Sequence, residues 1–208
     1  MDKPQAVLLG SSLLSFLPGV GRQQRELVKL AVALAERATR SAHEDGLVDD
    51  WLGYYRNQLR FFGWDAVQPE DIHWPEGEPQ VMVDKALSTI AETGGEHFAI
   101  ASGMALQRLT SDTGGLLRFE NYARTHGHFQ LLPCAPSGSN RVDMVIYHER
   151  GSSSSFSSGF LSLDRDSVDV RAELVRFNTL LFDQQHRPRV QQSLVEVALR
   201  NLTEYELQ

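Results

Sequence analysis

Cysteine is nearly absent: Cys134 is the only one in 208 residues. That excludes an internal disulfide framework and any zinc cage of the CxxC kind. Long apolar runs are missing as well, and none reaches the ~20 residues that a membrane-spanning helix needs. Basic residues are outnumbered, with 20 Lys+Arg against 27 Asp+Glu, a formal net charge of −7 and a pI near 5.5. That balance argues against a nucleic-acid partner, whose binders carry a basic field. The glycine motifs that cradle nucleotide phosphates are not there either. No GxGxxG follows a predicted strand, and no GxxxxGK precedes a Ser or Thr. The glycines from Gly10 to Gly21 lack both the lysine and the spacing. Gly10-Ser11-Ser12, Ser137-Gly138-Ser139 and Gly151-Ser152 do not make the GxSxG elbow of a serine hydrolase, and turn chemistry accounts for all three.

What remains is an ordinary globular composition, 41% hydrophobic and 23% charged. The length suits one full domain that buries its own core. Ala6–Val20 is apolar, with Leu8, Leu9, Leu13, Leu14, Phe16 and Leu17, and breaks at Pro18-Gly19. A buried N-terminal element is the simplest account. A segment entering lipid or a partner groove, or a leader peptide, are the alternatives; the single Lys3 beside Asp2 and the lack of a small-residue cleavage site disfavour a leader.

Helical periodicity then dominates. Leu27, Leu30, Ala31, Leu34, Ala35 and Ala38 form one stripe over residues 22–40. A second helix starts at Asp49-Asp50, carries Trp51, Tyr55, Leu59 and Phe62, and stops at Gly63. Residues 64–78, with Pro69 and Pro75, read as extended chain or loop. A third helix has Pro79 in its first turn and ends at Gly94-Gly95. A fourth, rich in small residues, runs over 96–109 and ends in Ser111–Gly115. Beyond it the period becomes 2. Residues 116–122, 128–132, 141–149, 156–163 and 168–174 read as strands, with a β-bulge where the alternation slips at Leu174-Val175. A final helix is expected over 188–205. Segregated helices and strands predict a single α+β domain over 1–208. It has about four helices in 1–115, packed on an antiparallel meander of four to five strands in 116–183, and a closing C-terminal helix.

Three stretches carry a resemblance: Pro4–Leu14 with Leu17–Val20, Trp51–Trp64, and the order of strands and final helix. Together they resemble a family of small, mostly bacterial proteins of unassigned function. The resemblance implies a compact α+β fold, helices first and antiparallel sheet after, and no catalytic motif, so no active-site residue carries over. The segment His186-Arg187-Pro188-Arg189 lies outside what the family shares.

The chemistry-bearing candidates are few. On a strand, His126 and His128 would share a face, with His148 on the next strand as a third nitrogen and Asp143 or Glu149 as an oxygen. A hydrogen-bonded strand start is the plainer account. Cys134 lies between Pro133 and Ala135-Pro136, away from any helix N-terminus, and reads as a structural thiol rather than a nucleophile with His128 as its base. Asp164, Asp166 and Asp169 could offer hard oxygens to Ca²⁺ but lack the rest of a calcium loop. Tyr54, Phe61 and Trp64 fall off the second helix's stripe and, with Phe16, are the candidate contacts for a partner or lipid surface. No cofactor is indicated. The expected function is therefore a non-enzymatic interaction protein that works through a protein partner, self-association or a membrane surface, with a toxin- or virulence-associated role as its sharpest form. It would be cytoplasmic, or exported without a cleaved signal. A metal- or thiol-dependent hydrolase and a small-ligand carrier with a pocket between helices and sheet are the alternatives.

Overall fold

The computed structural model describes residues 3–67, 82–162 and 169–207. Its first element is a hairpin, β1 (Gln5–Leu9) and β2 (Ser12–Phe16). Two helices follow, α1 (Arg22–Glu44) and α2 (Trp51–Phe61), then the short β3 (Trp64–Ala66). Next come α3 (Met82–Gly94), α4 (Glu96–Thr110) and α5 (Thr113–His126). Strands β4 (His128–Pro136), β5 (Arg141–Arg150) and β6 (Asp169–Asn178) lead to the one-turn α6 (Thr179–Leu181), α7 (Gln192–Leu199) and β7 (Thr203–Glu206).

The chain mixes α and β as expected, but the expected arrangement is overturned. The sheet has seven strands in the order β3-β6-β5-β4-β2-β1-β7, and it is mixed: β2 runs parallel to β4, while the other neighbours are antiparallel. A strand pair opens the chain, and a strand, not a helix, follows α7. The expected closing helix over 188–205 shrinks to Gln192–Leu199.

Each departure has a physical reason. β1 and β2 are buried on both faces, so they read as one apolar run without the alternation of a half-wet strand. The two-residue loop Gly10-Ser11 joins them with Leu9 opposite Ser12, and Gly10 supplies the positive φ, +57°, that such a loop needs. Residues 116–122, expected as a strand, lie in α5. Asp112 caps that helix by accepting from the Gly114 amide at 3.2 Å, Phe119 and Ala123 bury its inner face, and Gly127 closes it in the left-handed conformation. The glycines at 114 and 115 therefore sit in a helix's first turn and do not mark a break.

The expected strand over 156–163 is replaced, as far as it is described, by two short 3₁₀ turns, Ser153–Phe156 and Phe160–Ser162. The expected bulge at Leu174-Val175 is absent, since β5 and β6 pair without interruption from Arg141↔Asn178 to Arg150↔Asp169. The slip in apolar phase reflects a change of cover. Val170, Ala172 and Leu174 pack on one side of the sheet, whereas Val175 and Phe177 pack on the other. The loop over 68–78, Pro79, Asp164 and Asp166 lie outside the described residues.

Helices cover both faces. On one, α1 and α2 bury Leu14, Phe16, Leu132, Ile146, Val175 and Phe177; on the other, α3, α4 and α5 bury Leu13, Phe129, Leu131, Val145 and Tyr147. No described helix is long and apolar enough to cross a membrane.

Candidate functional site

The hairpin loop Gly10-Ser11 and the start of β4 meet at one end of the sheet, where the Gln130 amide donates to the Ser11 carbonyl at 2.9 Å. Helix α1 flanks this end on one face and α5 on the other. The turn from α7 into β7 closes over it. Two adjoining recesses result. The larger, about 310 Å³, is lined by Leu8, Gly10, Arg118, Tyr122, Arg200 and the Asn201–Thr203 turn. The smaller, about 60 Å³, shares Gly10, Tyr122 and Asn201, and adds Glu36, Arg37 and Arg40 of α1.

Four guanidinium groups therefore line two adjoining recesses in a chain of net charge −7. Among the described residues, Glu36 is the sole acidic one lining either recess. It is buried, and Arg40 holds it from one helical turn away at 2.5 Å. Burial raises the Glu36 pKa; Arg40 and a hydrogen bond from Ser12 pull it back. The carboxylate rests against Gly10, where a Cβ would collide with Oε1. Gly10 thus serves twice, for its φ and for the space above it.

The Arg40 guanidinium also lies over the Tyr122 ring, 5.7 Å from its centroid. The Tyr122 hydroxyl accepts from the Asn201 amide at 3.3 Å, and Arg118 donates to the Thr203 hydroxyl at 3.3 Å. Arg37 and Arg200 are exposed and make no ion pair among the described residues. Guanidinium forks match carboxylate and phosphate oxygens two at a time, so their convergence on a recess is the chemistry of anion recognition.

The sequence-expected histidines sit beside this groove. His126 is the last residue of α5 and stacks on Tyr122 with centroids 6.0 Å apart. His128 opens β4, and His148 lies on β5. The structure brings the three together, with centroids 6.2 Å apart for His126 and His128 and 5.3 Å for His128 and His148. Yet no three His, Cys, Asp or Glu among the described residues are placed to hold a metal ion. The imidazoles are otherwise engaged. His128 contacts the Ser11 hydroxyl and the His126 carbonyl, both at 3.2 Å, and His148 contacts the Gln130 amide at 3.4 Å. Trp51 packs on both rings, 4.2 Å from His128 and 5.5 Å from His148. Burial lowers the pKa of His128 to about 3 and that of His148 well below its ordinary value.

Cys134 is fully buried, its thiol donates to the Leu132 carbonyl at 3.5 Å, and burial pushes its pKa up. This is a packed thiol, not an activated nucleophile. Phe16 and Trp64 lie in the core, where Trp64 stacks on Phe177 at 4.3 Å, so neither presents a surface. Tyr54 is half-buried, and Phe61 stays 64% exposed. Sequence reasoning missed the arginines of the groove. Their only local trace is Arg37 and Arg40, three residues apart on one helix.

No protein-family model matches the chain, and no curated protein is similar to it. A solved structure described as that of the Evf virulence factor is similar at a TM-score of 0.38 and 13% identity, over 97% of this chain and 82% of that one. A likeness of that degree carries no argument about function.

Proposed function

We propose that this protein is a non-enzymatic binding protein whose groove, between α1, α5 and the α7–β7 turn, takes a small anionic ligand. One observation carries the reading: Arg37, Arg40, Arg118 and Arg200 converge on adjoining recesses while the chain as a whole is acidic. Like charges repel, so gathering them costs electrostatic energy that a bound anion returns. A thermal-unfolding panel tests it. Phosphate, citrate and glutarate are compared with glycerol at fixed ionic strength, for the wild type and for Arg118→Ala/Arg200→Ala. The reading expects the anions to raise the wild-type midpoint and to do little for the double variant. Equal rises in both proteins overturn it.

A second reading, contact with a protein partner or membrane surface, is favoured by Phe61, an exposed aromatic touching the His186 ring at 5.2 Å. It expects wild-type protein to sediment with liposomes or to self-associate, and Phe61→Ser to lose that behaviour. A monomer indifferent to both surfaces ends it.

A further inference from the structure

The two recesses differ in ways that specify the ligand further. Arg118 and Arg200 serve the larger one; they come from α5 and from the turn after α7. Arg37 and Arg40 serve the smaller one, side by side on α1. Tyr122, Asn201 and Gly10 line both, so the two cationic pairs adjoin across these three residues. Between the cationic pairs the lining is uncharged and mixed, with Tyr122 and Asn201 polar, Leu8 and Leu202 in the larger recess, and Ala33, Val197 and Ala198 in the smaller. A ligand with a single compact charge would engage one end and leave the other cationic pair facing solvent. A ligand with an anionic group at each end would satisfy both.

Within the anion-binding reading, on which this step rests, we infer that the groove takes a two-headed anion, an α,ω-dicarboxylate or an organic molecule with two separated phosphates. One head pairs with Arg118 and Arg200. The other pairs with Arg37 and the outer edge of Arg40, whose inner edge is held by Glu36. The ring of Tyr122 supports the body between them. Glu36 and Tyr122 act as positioning residues: they fix the Arg40 plane from two sides.

The test is isothermal titration of glutarate, adipate, pentanoate, hexanoate and inorganic phosphate into the wild type, Arg37→Ala and Arg200→Ala. Arg37 is exposed and unpaired among the described residues, so its removal leaves the Glu36–Arg40 pair in place. At least one dicarboxylate is expected to bind about tenfold or more tighter than the monocarboxylate of equal length, and tighter than phosphate, which carries its charge in one place. Arg37→Ala should weaken that dicarboxylate by more than it weakens the monocarboxylate. Arg200→Ala should weaken both. If mono- and dicarboxylates bind alike, or Arg37→Ala weakens both equally, the two-headed ligand is wrong while the anion site stands. If no anion binds at millimolar concentration, the anion site itself is wrong, and this inference falls with it.

Discussion

At the scale of single residues, the Trp51 indole packs against both His128 and His148. An imidazole in the unfolded chain titrates near 6.5, whereas burial lowers His128 to about 3 and also lowers His148. Well above pH 6.5 neither state holds the protons, and the histidines contribute no pH dependence. As the pH falls below that, the unfolded chain takes up protons that the fold refuses. Stability should then fall by about 1.4 kcal/mol per pH unit for each histidine, until His128 itself titrates near 3. Glu36 and Glu173, raised by burial, act in the opposite sense as the carboxylate range is approached. The clean measurement is therefore a set of urea midpoints between about pH 7 and 5, wild type against His128→Gln. The variant should lose the slope of about one proton; equal slopes would contradict the account. Gly10 gives a second residue-scale prediction. Gly10→Ala forces a left-handed alanine and drives its Cβ into the Glu36 carboxylate, so it should cost at least about 1–3 kcal/mol in the same urea measurement. A neutral result would mean that Glu36 does not rest there.

At the scale of elements, the final strand carries more than its four residues suggest. β7 pairs with β1 along Gln5↔Glu206 to Leu8↔Thr203. Glu204 holds the buried Lys29 ammonium at 2.5 Å, and the Tyr205 hydroxyl donates to Asp112 at 2.9 Å, tying the strand to both α1 and the cap of α5. Deleting residues 203–208 would leave Ala6–Leu9 as an uncovered apolar edge. The expected outcome is concentration-dependent aggregation seen by light scattering; a stable monomer would refute this role. The same strand shows why part of the fold was illegible in the sequence. Helices α1 to α3 were visible in their 3.6-residue stripes, α4 in its small residues, and β5 in the alternation of its first half, where Arg141 and Asp143 are not buried and Val142 and Met144 are. β1, β2 and β7 get their identity from partners far along the chain. β2 lies beside β4 only after five helices have crossed over, and β7 lies beside β1 only when the chain ends have met. A segment buried on both faces carries no period to read, and the apolar phase of β6 misled because its cover changes side midway.

At the scale of the whole molecule, the candidate site was harder to read than the fold. A net charge of −7 says nothing about where charge gathers. Arg37, Arg118 and Arg200 lie in three separate parts of the chain, and only the closure of β7 on β1 gathers them at one end of the sheet. The sequence pointed instead to His126, His128 and His148. These are close in space but are spent on packing and hydrogen bonds beside the groove. Charge gathering of this kind also predicts a salt effect. Anion affinity should fall as ionic strength rises toward the point where the Debye length, about 8 Å at physiological salt, is shorter than the groove. The most direct test is amide chemical-shift mapping during a glutarate titration of the wild-type protein. The account predicts saturable shifts gathered at Gly10, Arg37–Arg40, Arg118–Tyr122 and Arg200–Thr203. Shifts that fail to saturate, or that gather away from this end of the sheet, would contradict it.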